Sequence, residues 1–216
     1  MKRKQLESYL EEVNQFSSPK LELEQYATDS HLAASVLYTM ESSFGDLQDK
    51  IVLDLGAGCG VLSIGSSMLG AGSVTSVELD SDAIGDLQDN VSEFEIDNID
   101  IIQGDVTSDL LRPDFKFDTV ITNPPFGTKN NEGIDMKFLD RALSVVTLSG
   151  AVYSFHKTST RDFILRRMEG RGLNVEVIAE MKFKIPHMYK QHKKKEVLVD
   201  VDFIRTSGKS SSSRGS

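Results

Sequence analysis

The chain has 216 residues and a mass of 23.9 kDa, with 39% hydrophobic and 26% charged residues and a formal charge of −9. A chain of this length can bury roughly 70% of its unfolded surface around one core. Its apolar content excludes long disorder, and 16 Gly with 5 Pro exclude a collagenous or silk-like chain. The single cysteine, Cys59, excludes a disulfide framework and a Cys-rich zinc site, and it fits a reducing compartment. Residues 1–15 are charged throughout rather than signal-like, and no apolar run is long enough to span a bilayer, so no membrane partner is expected. The acidic balance argues against a nucleic-acid partner. That balance is uneven, however. Residues 1–150 hold 10 Lys+Arg against 26 Asp+Glu, whereas residues 151–216 hold 14 against 7. Residues 181–195 carry six lysines (Lys182, Lys184, Lys190, Lys193, Lys194 and Lys195) and no acid. Such asymmetry marks either a side that faces a polyanion or a solvated loop.

In chain order, residues 4–13 read as a short amphipathic helix with Leu6, Tyr9, Leu10 and Val13 on one face. Residues 30–44 repeat the pattern through Leu32, Val36, Leu37 and Met40, with Ser30 available as the N-cap. Between them, residues 21–29 are irregular and concentrate polar groups at Glu24, Gln25, Tyr26 and Thr28. Strands and helices then alternate: strand 51–55, helix 60–69, strand 74–79, helix 82–94, strands 99–103 and 117–122, helix 136–146, strand 151–155 and helix 160–170. Strands 175–183 and 196–204 close the chain and flank the lysine cluster. Near-continuous Val/Ile/Leu runs predict strands buried on both faces of a parallel sheet. Two final strands with no helix between them predict an antiparallel hairpin at one edge. The expected architecture is α/β: a mostly parallel seven-stranded sheet, a C-terminal hairpin, and helices on both faces. Three segments are expected: a helical extension at 1–50, the core at 51–205, and a low-complexity Ser/Gly tail at 206–216 that is disordered.

The sequence DLGAGCG at residues 54–60 follows a strand and opens a helix. Gly56, Gly58 and Gly60 let the backbone turn tightly and let a ligand approach the main chain. The dinucleotide fingerprint would need Gly where Val61 stands, and the Asp54 carboxylate beside the loop would repel a pyrophosphate. A cofactor with a cationic centre and no phosphates fits better. About twenty residues on, Glu78 ends the second strand, where an acid can accept hydrogen bonds from both ribose hydroxyls. After the third strand, Asp105 can accept from an adenine amine and Val106 can pack on the ring. Each acid alone is more often a surface or cap residue. Together, at successive strand ends, they converge on a nucleoside site. This order of glycine loop, ribose acid and adenine acid resembles the class I S-adenosyl-L-methionine (SAM)-dependent methyltransferases, which implies a single Rossmann-like domain. Cys59 has no nearby His to activate it and reads as a small residue beside the cofactor.

The most informative stretch is Asn123-Pro124-Pro125-Phe126, into which a buried strand runs directly. The prolines forbid strand continuation and helix entry, so the backbone is held stiff where the sheet exits. A conjugated exocyclic amine is a poor nucleophile because its lone pair is delocalised. The Asn123 side-chain oxygen and the Pro124 carbonyl can each accept one amine hydrogen, aiming the lone pair at a methyl group. Proline rigidity fixes that carbonyl, and Phe126 offers a flat face on which a flipped base stacks. The tetrapeptide looks like the signature of methyltransferases acting on N6-adenine, N4-cytosine, N2-guanine or the glutamine amide.

The segments LEQYAT (23–28), DLGAGCGVLSIG (54–65), TNPPFGTKNNEGIDMKFL (122–139) and SFHKTSTR (154–161) together resemble the methyltransferase-like 5 family, which makes N6-methyladenosine in small-subunit (18S) ribosomal RNA. Departures are small: Ala27 replaces a usual Pro, Ala57 an often-seen Cys, and Glu78 a common Asp. The resemblance implies SAM as cofactor, S-adenosyl-L-homocysteine as product, and Gln25, Tyr26 and Thr28 closing over the cofactor. It places Lys129, His156 and Lys157 at the rim of the target pocket, with Lys190, Lys193, Lys194 and Lys195 gripping RNA backbone beside an unpaired adenosine. It also implies a heterodimer with a small zinc-binding activator protein that extends a sheet edge, and a nuclear (nucleolar) and cytoplasmic location. No metal ligand set of the chain's own is expected.

Three rivals remain. A glutamine-N5 methyltransferase of release-factor type would be expected to carry a docking domain, for which residues 1–50 before the first strand leave no room. The intact Asn123–Phe126 run weighs against a non-catalytic SAM-binding assembly factor. Val61 and Asp54 disfavour an NAD-dependent oxidoreductase.

Overall fold

The computed structural model describes residues 1–108, 110–111, 114–127, 131–186 and 196–209. Seven strands form one sheet: β1 (Ile51–Leu55), β2 (Ser73–Glu78), β3 (Ile99–Gln103), β4 (Phe117–Thr122), β5 (Val146–Lys157), β6 (Leu173–Pro186) and β7 (Glu196–Gly208). Their spatial order is β3-β2-β1-β4-β5-β7-β6. The first five pair in parallel, while β7 pairs antiparallel with both β5 and β6. The expected mostly parallel sheet with a C-terminal hairpin is therefore present.

Six helices accompany it: α1 (Arg3–Leu10), α2 (Ser30–Phe44), α3 (Val61–Met68), α4 (Ser81–Glu93), α5 (Ile134–Val145) and α6 (Arg161–Gly170). Alternation along β1 explains the two cores. Val52 joins Leu6, Leu10, Leu37, Met40 and Ile64 of α1–α3 on one face. Leu53 and Leu55 join Leu139, Ala142, Ile164 and Met168 of α5 and α6 on the other. Each such Val, Leu, Ile or Met side chain, fully removed from water, contributes about 1.5–3 kcal/mol. The N-terminal helices are thus part of the core, since Leu6, Leu37 and Met40 are completely buried.

Three sequence expectations shift. The N-cap of α2 is Asp29 rather than Ser30: its carboxylate accepts from the His31 and Leu32 backbone N–H groups, which a carboxylate one residue earlier reaches better. Strand β5 begins at Val146, directly after α5, with a register shift against β4 between Phe117 and Thr119. Strand β7 continues to Gly208, so ordered pairing passes the expected boundary at 205, where Ser207 pairs with Ala151. The rest of the tail, 210–216, lies outside the described residues, as do Lys129, Lys190, Lys193, Lys194 and Lys195.

The hairpin is locked to α6 through a buried charge. Asp202 of β7 has no exposed surface, and its carboxylate accepts from Arg161 Nε at 2.6 Å, Arg161 Nη2 at 2.7 Å and Thr158 Oγ1 at 2.7 Å. Burial pushes this carboxyl up, but the hydrogen bonds and charge of Arg161 outweigh it and hold the pKa below the usual value. A lowered carboxyl pKa stabilises the fold at neutral pH and loses that contribution as pH falls through it. Arg161→Ala strands a buried carboxylate, and at pH 7 it is expected to lower the melting temperature by about 5 °C or more. Scanning calorimetry checks this, and an unchanged melting temperature would contradict the role given to the pair.

Candidate active site

Register places the site. Leu55 of β1 lies beside Val77 of β2 on one side and Thr122 of β4 on the other. The next residue of each strand, Gly56, Glu78 and Asn123, therefore emerges at the same edge of the sheet. There they line a cleft of about 270 Å³ with Gln25, Tyr26, Thr28, Gly58, Cys59, Val61, Asp105, Val106 and Pro125. Most of the residues that the sequence nominated are thus brought together, including segments almost a hundred residues apart.

The glycine loop has positive φ at Gly56 (75°), Gly58 (55°) and Gly60 (93°). A Cβ at Gly58 would come within 2.7 Å of the Phe16 ring, and one at Gly56 within 3.0 Å of Phe138. Gly60 serves packing instead: a Cβ there would strike Leu87 of α4 at 2.1 Å. Glu78 is buried and accepts from the Gly58 N–H at 2.8 Å and from the Leu79 and Asp80 N–H groups. Asp105 is exposed and holds Thr107 through Oδ1, while Val106 is buried beside it. Cys59 is buried, and desolvation pushes its thiol up to about 12, so it is not a nucleophile at neutral pH.

Residues 20–29 cross the cleft as a strap. Gln25 Oε1 accepts from the Lys20 backbone N–H, and Gln25 Nε2 donates to Asp80 at 2.8 Å. Lys20 pairs with Asp80 and Asp82. On the opposite side, Asn131 Nδ2 donates to the Glu22 carbonyl and to Glu24. Asn123 Nδ2 donates to Thr28 Oγ1 at 3.0 Å, whereas Asn123 Oδ1 and Tyr26 Oη are buried without a hydrogen-bond partner.

Three expected site residues, Asp54, His156 and Phe126, sit differently from expectation. Asp54 lies under the loop, outside the cleft wall: it is 1% exposed and accepts from Ser63 Oγ at 2.6 Å. His156 does not line this cleft. It is fully buried, between Asp135 at 3.1 Å and Ser154 at 2.9 Å, because Asp135 in the first turn of α5 packs over β5. Phe126 is only 6% exposed, and its face is covered by Tyr26, with ring centroids 5.5 Å apart and planes 29° apart. Pro124 is buried, while Pro125 faces the cleft. Lys157 is half-buried at the end of β5.

Phe16, Ile134 and Phe138 also line the cleft and were not nominated. Ile134 and Phe138 are one helical turn apart, a spacing that marks a shared face but not what the face meets.

A family model for the methyltransferase small domain matches residues 30–186, so fold and cleft together define a methyltransferase. The rRNA N(6)-adenosine-methyltransferase METTL5 of Danio rerio is 53% identical to the chain, covering 95% of it and 98% of the relative. The rRNA N(6)-adenosine-methyltransferase Mettl5 of Drosophila melanogaster is 45% identical, covering 95% and 96%. The crystal structure of PH1948 from Pyrococcus horikoshii superimposes with a TM-score of 0.82 at 35% identity, covering 96% of each chain. The chain belongs to the methyltransferase-like 5 family of methyltransferases. Family and fold imply SAM as the methyl donor.

The residues present suit that donor. Two acids, Glu78 and Asp105, supply acceptors for a cationic nucleoside, and no basic side chain lines the cleft among the described residues. Burial pushes Asp54 up to about 7; the Ser63 hydrogen bond lowers it, and the charge of Glu78 raises it further. A carboxyl whose pKa is raised on folding destabilises the fold as pH climbs from about 4 to about 7, because the folded state then binds more protons. Asp54→Asn is expected to remove that part of the pH dependence while keeping an acceptor for Ser63. Thermal melts of both proteins from pH 4 to 8 check it; parallel pH profiles would contradict it.

Proposed function

We propose that the chain methylates N6 of one adenosine in small-subunit (18S) ribosomal RNA. The observation that carries this reading is Asn123, just after β4 in the wall of a cleft lined by acids, with its Oδ1 buried and unpartnered. When bound, SAM supplies an electrophilic methyl group on a sulfonium, and its product is S-adenosyl-L-homocysteine. The chain's own residues hold and orient. Glu78 accepts from ribose hydroxyls, Asp105 accepts from the adenine amine of the cofactor, and Val106 packs on its ring. Gln25, Tyr26 and Thr28 close the strap over the site and exclude water until the target base enters.

At the target, Asn123 Oδ1 and the Pro124 carbonyl each accept one amine hydrogen. That aligns the nitrogen lone pair with the methyl group, and alignment carries most of the rate. For a base to stack on Phe126, Tyr26 must first uncover it. Lys157, together with Lys129 and the lysines at 190 and 193–195, supplies phosphate contacts beside an unpaired base.

The reading includes a partner. Strand β3 is a sheet edge with unpaired backbone groups, and Leu79 and Phe115 are about half exposed close by. A small zinc-binding activator that adds a strand there covers both. Nucleolar and cytoplasmic locations follow from a ribosomal substrate.

Asn123→Ala is expected to leave SAM binding within about threefold while turnover on 18S RNA falls at least a hundredfold, the scale of losing one oriented polar group. Calorimetry and product nucleoside analysis measure the two. Normal methylation by the variant would remove Asn123 from the mechanism.

A further inference from the structure

An amide side chain has two chemically opposite ends, and only one of them suits an amine. Oxygen accepts a hydrogen; NH2 would present two more hydrogens to a group that already has its own. Strand β4 and the two prolines fix the backbone of Asn123, but its terminal torsion is broad and roughly two-fold. Something else must decide which end faces the cleft.

The partner in the structure is Thr28, 95 residues earlier, whose Oγ1 accepts the Asn123 Nδ2 hydrogen at 3.0 Å. Holding the nitrogen end turns Oδ1 the other way, and Oδ1 is the end left without a partner. Thr28 is itself well anchored. It is 6% exposed and directly precedes Asp29, the N-cap of α2. Helix α2 is fixed in the core by Ala33, Ala34, Leu37 and Met40, all fully buried. The hydroxyl therefore sits at the end of the strap that the packed helix α2 holds in place.

We propose that Thr28 is a positioning residue that orients the Asn123 amide, so that Oδ1 is presented to the target amine. This role rests on the reading of Asn123 as the amine's acceptor, and it is distinct from covering the cofactor. Thr28 touches no reacting atom; it acts through Asn123.

Thr28→Val keeps the shape and removes the acceptor. In the full-length enzyme assayed on 18S RNA, kcat is expected to fall about tenfold, the scale of one hydrogen bond's orientation. Because valine keeps the shape with which Thr28 covers the cofactor, the Kd for SAM alone, from calorimetry, should stay within about twofold, and Thr28→Ser should restore kcat to within about threefold. In an Asn123→Ala background, Thr28→Val should cause no further loss in single-turnover rate, because the group it orients is gone. If valine lowers the melting temperature, Thr28→Ala makes the same comparison. An unchanged kcat would overturn the role, as would a raised Kd with unchanged kcat at saturating SAM, or losses that multiply in the double variant. A wild-type enzyme that makes no N6-methyladenosine would overturn the reading of Asn123 as well.

Discussion

Parallel pairing of β1 between β2 and β4 is the constraint on which the rest depends. With Leu55 level with both Val77 and Thr122, the three strands end together, and the chain leaves them as Gly56, Glu78 and Asn123. A slip of one residue in either pairing would turn Glu78 or Asn123 to the opposite face of the sheet. The slip is opposed by the two cores, because a shift of β2 would exchange the faces of Val74 and Val77, and a shift of β4 those of Val120 and Ile121. Site geometry is thus held by hydrophobic burial far larger than any single polar contact in the cleft.

The N-terminal strap completes what the sheet begins. Lys20 and Gln25 tie it to Asp80 at the start of α4, and Asn131 ties it beside α5. Its polar residues therefore bridge the two walls of the cleft. The charge distribution makes sense on the same terms. Acids at Glu78 and Asp105 suit a cationic nucleoside, while the basic excess after residue 150 is kept apart from them along the chain. A net charge of −9 weakens indiscriminate attraction to RNA and leaves recognition to local contacts.

Much of this was legible in the sequence because parallel strands announce themselves. Strands 51–55, 99–103 and 117–122 agree residue for residue, since each is an apolar run stopped by Gly or Pro. The start of β5 was not legible: Thr147 to Ser149 are polar or solvent-facing, with Leu148 fully exposed, and only pairing with Phe117 makes this stretch a strand. Motif residues were found by their strand-end positions, whereas contacts between distant segments were hidden. Nothing local says that Asp135 will lie against His156 and bury it, or that Tyr26 will cover Phe126. Thr28 was expected over the cofactor from the family resemblance, but its contact with Asn123 depends on how α2 packs over the sheet.

All of this chemistry turns on which nitrogen is methylated. Quantitative mass spectrometry of nucleosides from purified 18S RNA, in cells with and without this gene, tests it most directly. N6-methyladenosine is expected to fall by about one residue per 18S molecule when the gene is removed and to return with the wild-type chain. An unchanged N6-methyladenosine content would contradict it.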